Sequence, residues 1–469
     1  MTDTPIFHPA SFRDPEGRVF QNGSRIFRTL SDTAALRMRS LEKNGRLEKL
    51  IATGMLIPST LVSSSEAVLD PKQFGDVVME HERIPLIVYP YEWSFDMLRD
   101  AALLTLDLMS ACLEMDLILK DATSFNVTPY KNRMVFLDTL SLDDYREGQP
   151  WEGYSQFCRE FLYPLFLTSH KGVEFQPWMR AELNGLKAST MSRIFGWLEA
   201  PFKGVLTHVH LQAFFERRFA NRDIQVLSKF ESRLFPKKAL LRMLESIRRL
   251  VRSMKYRALD SVWDNYESDN SYSPQDEEAK KSFVMESSGQ LKANTWVDIG
   301  CNAGKFSDII AKTGSRPQTV IGLEADAAAA NAFYLRFRNS TDNFFYPIVT
   351  NLLNPTPAMG WGLSERAALF DRVQGEGFLA LALVHHICIA NNIPLEGFIK
   401  LLNRFGHRGV VEWVDKQDAM VQRLLRNRKD VFPDYKWDEF ERCLKTIFRV
   451  ERVVETHGGH RRLCQVRAL

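Results

Sequence analysis

Residues 297–304 read V-D-I-G-C-N-A-G, and the run KFSDIIAKTG follows at once. A strand, a glycine-rich turn and a helix in that order bring backbone within contact distance of a ligand. Gly300 and Gly304 offer no Cβ to collide with it. Cys301 and Asn302 fill the turn, and Asp298 stands just before it. A second apolar run, TVIGLEAD, ends in Glu324, 26 residues after Asp298. A carboxylate there can accept hydrogen bonds from both hydroxyls of a ribose. The pair predicts a pocket for a nucleoside-bearing ligand at the carboxyl ends of parallel strands. A nicotinamide site would present much the same pair. The spacing Gly300-x-x-x-Gly304, with Asn302 inside it, departs from the GxGxxG of that class.

The runs that follow supply the rest of such a pocket. FFYPIVTNLLNP should set Asn351 and Leu352 beside an adenine. FLALALV is expected to run as a strand into His385 and His386, either of which can take a proton from a hydroxyl, amine or acidic carbon. A structural role for one of the two stays open. GVVEWV leads to a charged stretch, Glu412 to Asp418, expected at the substrate rim or as a solvated loop. Here the sequence resembles class I methyltransferases, whose first motif reads D-x-G-x-x-x-G in many members. The resemblance implies S-adenosylmethionine as cofactor, with Asp298 near its amino-acid part. A sulfonium carries its own activated methyl, so such a site must align the acceptor, exclude water and, where needed, remove a proton.

A second constellation lies in the N-terminal half. LKDATSFN places four residues between Asp121 and Asn126, and Asp138 follows Asn126 by twelve at the end of the strand-like run MVFL. Kinase-type phosphotransferases set an Asp base, an Asn metal ligand and a second metal-binding Asp at these separations. The apolar run 84–93, IPLIVYPYEW, reads as a strand entering a hinge, and a helix is expected over about 96–117. The segment resembles aminoglycoside phosphotransferase-like and protein kinase-like folds. The resemblance implies Mg²⁺ at Asn126 and Asp138 with Mg-ATP as a second cofactor. The loop reads LKD in place of H-x-D, and no GxGxxG is present. RVFQNGSRIFRTL could form a shortened glycine-loop hairpin, with Arg28 or Lys43 as a distant phosphate ligand. Asp and Asn that cap turns are the plainer reading.

These sites need elements to hold them. The 469 residues, 45% hydrophobic and 25% charged, suit two or three soluble domains. A net charge of +3 gives no overall field for nucleic acid or membrane. No run of about 18 apolar residues is present, so no span is expected. The N-terminus lacks a signal-peptide pattern, and the six cysteines show no CxxC or zinc spacing, which fits reduced thiols in a cytoplasmic protein. From about 291, strand-length apolar runs alternate with helical stretches, the mark of a parallel sheet covered on both faces. Residues 212–257 hold thirteen Lys/Arg against four Asp/Glu, with apolar residues every three or four. That pattern predicts an amphipathic helix pair, a solvated connector or a surface for anionic lipid or phosphorylated glycan. Nucleic acid is not expected there. Residues 263–282 read as a polar linker.

The expected fold is α/β. A kinase-like α+β domain spans 1–211, a basic helical connector 212–284, and a Rossmann-like class I methyltransferase sheet 285–469. Several stretches, YPYEWSFDMLRDAALLTLDL, LKDATSFNV, DIGCNAGKFS, GWGLSER and LALALVHHICIANNIPL among them, are similar to a NoeA-like, nodulation-related methyltransferase family. The resemblance covers most of the chain. It implies a methyltransferase acting on a small molecule, saccharide or glycolipid. It leaves two alternatives for the N-terminal module: a second, phosphotransferase activity using Asp121, Asn126 and Asp138, or a non-catalytic scaffold.

Overall fold

Alternating apolar residues in the first eighty positions resolve into an antiparallel sheet. The computed structural model describes residues 5–67, 69–219, 236–257, 273–313, 319–426 and 429–469. Arg222, Lys229 and Arg233 of the basic region and residues 263–272 of the expected linker lie outside the described residues. The chain divides into two units, 1–259 with 358–366, and 260–357 with 367–469.

In the first unit the strands are β1 (Ile6–Phe7), β2 (Val19–Asn22), β3 (Arg25–Thr29), β4 (Ser59–Ser63) and β5 (Val77–His81), in the order β1-β2-β3-β5-β4. Their buried face gathers Phe20, Phe27, Phe74 and Val78. Helices α1 (Asp32–Lys43) and α2 (Arg46–Ala52) fall between β3 and β4. The Ser31 hydroxyl accepts from the Ala34 N–H, and Asp32 and Lys43 stand at the dipole ends that favour them. Helix α3 (Phe95–Glu114) ends three residues short of the expected 117 because Asp116 turns to a positive φ of 56°. Short ribbons follow: β6 (Leu117–Leu119) pairs with β9 (Leu142–Asp144), and β7 (Val127–Tyr130) with β8 (Arg133–Phe136). Lys131 and Asn132, both at positive φ, close the β7–β8 hairpin.

The basic region carries two helices among the described residues, α4 (Gln212–Phe219) and α5 (Lys237–Ser253). Helix α5 buries Leu240, Leu244, Ile247 and Leu250 and packs on α3, and Arg248 pairs with Asp107 at 2.7 Å. It therefore falls within the first unit, whereas the expectation was a basic helical connector over 212–284. Arg242, Arg249 and Arg252 face solvent.

The second unit opens with α6 (Pro274–Leu291), whose first turns fall inside the expected linker. The signal was present: Ser273 caps Asp276 N–H at 3.1 Å, with Pro274 at the first helical position. The sheet comprises β10 (Thr295–Ile299), β11 (Thr319–Glu324), β12 (Phe344–Val349), β13 (Gly377–Ala380), β14 (Arg408–Val414), β15 (Phe448–Thr456) and β16 (Arg461–Ala468). Its order is β12-β11-β10-β13-β14-β16-β15, parallel through β14, with β16 antiparallel to both neighbours. This is the doubly wound sheet expected of the class I methyltransferase fold. Pro347 is tolerated because β12 is an edge. The outer strand β15 alternates partly buried and exposed residues, a period-2 signal diluted by charge. Around the sheet lie α7 (Lys305–Ala311), α8 (Ala327–Phe337), α9 (Val384–Cys388) and α10 (Leu395–Phe405).

All six cysteines are buried and unpaired. Among the described residues no helix is long and apolar enough to cross a membrane.

Candidate active site

The turn after β10 is built from left-handed backbone: Gly300 at φ 73°, Asn302 at 50° and Gly304 at 77°. The two glycines do different work. A Cβ on Gly300 would meet only the Leu383 side chain, at 3.4 Å. A Cβ on Gly304 would strike Phe333 at 2.6 Å and Phe337 at 2.7 Å. Gly304 thus seats the turn on α8, and it does not line the cavity as expected.

A cavity of about 360 Å³ opens beside this turn, within the ~300–1,000 Å³ typical of small-ligand sites. Its walls carry Asp298, Gly300, Cys301, Asn302, Glu324, Asn351, Leu352 and His386. Glu324 Oε2 accepts the Asn302 N–H at 2.8 Å, and Oε1 accepts those of Ala325 and Asp326 at 2.7 and 3.0 Å. The carboxylate is fixed by three backbone N–H groups, with one acceptor position remaining, on Oε2. Burial raises its pKa. Burial also pushes the Asp298 carboxyl up to about 6, while Ser307 Oγ donates to it at 2.6 Å. Cys301 is buried, and burial raises its thiol well above the usual range. Asn351 Oδ1 accepts the Leu353 N–H at 2.9 Å.

The histidines depart from expectation. Strand β13 stops at Ala380, because Ala382 turns to φ 51° and gives its N–H to Glu412 at 2.7 Å. His385 and His386 therefore sit on α9, beyond the strand. Only His386 lines the cavity; His385 is fully buried behind it, with ring centroids 4.2 Å apart. Neither ring nitrogen of His385 has a hydrogen-bond partner among the described residues. Burial lowers His386 to about 4 and His385 well below its ordinary value. Both rings are uncharged at neutral pH, and a base of pKa about 4 is a weak proton acceptor.

The sequence reading missed Lys280. It lines the cavity from α6, and its ammonium reaches Glu412 Oε2 at 2.6 Å. Glu412 also faces Arg461 at 3.5 Å, and Arg461 grips Asp418 at 2.7 and 3.1 Å. Glu412 and Asp418 are buried, so they do not form the expected rim. Cavity size, a fixed carboxylate at the end of β11 and a turn with open space at Gly300 fit S-adenosylmethionine.

In the first unit the structure brings Asp121, Asn126 and Asp138 together. Asn126 Nδ2 lies 3.4 Å from Asp121 Oδ2 and 3.4 Å from Asp138 Oδ2. Burial raises Asp121. Asp138 is opposed by burial, but Arg28 beside it holds its carboxyl low. Arg28 donates to Asp138 Oδ1, as does the Leu140 N–H at 3.0 Å; Ser141 Oγ donates to Oδ2 at 2.5 Å. With Asn126, all four lone-pair positions of the carboxylate are taken. As arranged, the trio does not fit Mg²⁺. Lys43 ends α1, and among the described residues no hydrogen bond or ion pair joins it to this cluster. The segment 358–366 packs here too: Glu365 pairs with Arg13 at 2.6 Å, and Arg366 lies 4.3 Å over the Phe125 ring.

No protein-family model matches the chain. It is 33% identical over 443 residues to the nodulation protein NoeA of Rhizobium meliloti (strain 1021), covering 94% of this chain and 91% of that protein. Among solved structures, it is similar to the methyltransferase domain of bacterial CtHen1 (13% identity, TM-score 0.30, 41% of this chain and 98% of that one). It is similar also to a SAM-dependent methyltransferase from Aquifex aeolicus (15%, 0.30, 45% and 100%) and to the bifunctional kinase-methyltransferase WbdD (14%, 0.30, 44% and 41%).

Proposed function

The chain belongs to the family of the nodulation protein NoeA, and from that premise we propose that its second unit is a class I S-adenosylmethionine-dependent methyltransferase. The observation that carries this reading is one cavity walled by both the Gly300–Asn302 turn and the Glu324 carboxylate. Bound there, the cofactor supplies a methyl already activated by a sulfonium. Glu324 accepts from a ribose hydroxyl at its remaining acceptor position. Asp298 serves the amino group, and Lys280 offers a cation for the carboxylate. Asn351 and Leu352 flank the base, with Cys301 and Asn302 in the turn between. His386, uncharged, accepts a hydrogen bond from the acceptor and places no cation near the sulfonium. His385 backs it as a positioning residue.

The acceptor is a small molecule, saccharide or glycolipid. What supports this is the kinship with a nodulation protein, an argument by family. Titration with S-adenosylhomocysteine tests the pocket: Glu324→Ala is expected to weaken binding about thirtyfold, the loss of a charged hydrogen-bond acceptor worth about 2 kcal/mol. Unchanged affinity would remove the assignment. Methyl label appearing in protein or RNA of an extract, in place of glycan or lipid, would overturn the acceptor.

A second reading concerns the first unit, which we take as kinase-like. In its favour are the antiparallel five-stranded sheet, helices between its third and fourth strands, and the Asp121–Asn126–Asp138 cluster. Of the two alternatives for this unit, the ion pairing of Asp138 with Arg28 favours a binding scaffold over Mg-ATP phosphotransfer.

A further inference from the structure

The loop between β1 and β2 carries two carboxylates against the cations of the first unit. Asp14 pairs with Arg28, the same guanidinium that holds Asp138. Glu16 accepts from Arg37 at 2.7 and 3.0 Å and from Lys120 at 2.6 Å. Three cations from β3, α1 and the segment after β6 thus converge on two acids two residues apart. The loop is anchored for this. Ser31 N–H reaches the Glu16 carbonyl at 2.7 Å, and Thr29 N–H the Arg18 carbonyl at 3.0 Å. Gly17 is required, since a Cβ there would run into the Thr29 carbonyl. The cations retain capacity: the buried Nε atoms of Arg28 and Arg37 have no hydrogen-bond partner among the described residues. Arg28 is nine-tenths buried, with a side-chain exposure of 8%.

From this we propose that the first unit binds a phosphate-bearing anion, without a metal, through Arg28, Arg37 and Lys120, and that Asp14 and Glu16 occupy the phosphate positions in its absence. Guanidinium forks match tetrahedral oxyanions as they match carboxylates. Arg28 already stands against Asp138 as the cation there, so no divalent ion is needed. The proposal rests on reading this unit as a binding module, and it is independent of the methyltransferase site. Asp14 and Glu16 compete for the cations, so the resting chain binds such an anion weakly.

Calorimetric titration of the full chain with pyrophosphate, in EDTA and again with Mg²⁺, tests this. The variant Asp14→Asn with Glu16→Gln is expected to bind about tenfold tighter than the parent, because two competing carboxylates are gone. Adding Arg37→Gln should abolish the gain. Far-UV dichroism and the response to S-adenosylhomocysteine check that both units remain folded. Glu16→Gln alone, at a partly exposed side chain, carries the test where the double variant does not fold. No gain in EDTA, a gain that requires Mg²⁺, or a gain that survives Arg37→Gln overturns the proposal and leaves the methyltransferase reading standing. A parallel titration with ATP distinguishes a nucleotide from a bare polyphosphate.

Discussion

Two charged clusters were legible as chemistry, and they differ in what their lone pairs do. In the first unit, Asp138 spends every acceptor position on the chain itself, and Arg28, Arg37 and Lys120 face Asp14 and Glu16. In the second, Glu324 takes three backbone N–H groups and keeps one acceptor position at the wall of an open cavity. Residue types alone do not separate a ready site from an internally neutralised one. The difference lies in which partners packing delivers.

Removing the central cation from each unit should break this comparison most visibly. Arg461 is 1% exposed, and Arg461→Leu strips the buried Asp418 carboxylate of its guanidinium partner, while Glu412 keeps Lys280. It is expected to cost about 3–5 kcal/mol in urea unfolding. Arg28→Leu should cost less, about 1–3 kcal/mol, because water still reaches Asp14 and Asp138. Equal losses would mean that the two networks are equally dry.

The pH response sharpens the contrast, because the signs are opposite. Burial raises Asp298 to about 6 in the folded chain, above its value of about 3.9 when unfolded. Its contribution is full below about pH 4 and lost as pH rises through 6. Glu16, lowered to about 2 chiefly by its hydrogen bonds to Arg37 and Lys120, contributes above about pH 4.5 and loses this as pH falls toward 2. Asp298→Asn should therefore flatten stability between pH 4 and 6. Glu16→Gln should leave that window unchanged and flatten the range below it. Denaturation midpoints measured across pH 2–7 check both.

The smallest expected effect is local. Ser273→Ala removes the cap of the helix that carries Lys280 and should cost about 1 kcal/mol with a slight loss of cofactor-analogue affinity. Ser31→Ala, the corresponding cap in the first unit, should cost as much and leave that affinity untouched. Paired thermal-shift and titration measurements separate the two.

Much of the second unit could be read from local pattern. The strand, turn and helix over 295–311 and the acid ending β11 follow from apolar runs punctuated by glycine, and the structure puts Gly300 and Glu324 at one cavity. The roles of Gly304 and His385 could not be read that way. Gly304 is glycine because two phenylalanines of another helix press on it, and His385 is displaced because Glu412 bends the chain at Ala382. Helix α6 was legible in its Ser-Pro cap but was masked by the polarity of its first turns.

The sequence by itself determined the elements and the residue types available at their ends, because periodicity, caps and glycine turns act over a few residues. Tertiary structure alone decided that Arg28 meets Asp138 across 110 positions, that Lys280 meets Glu412 across 132, and that segment 358–366 belongs with the first unit. It also set the histidines' loss of charge. Ion pairing and desolvation depend on distance and burial in space, and spacing along the chain carries neither.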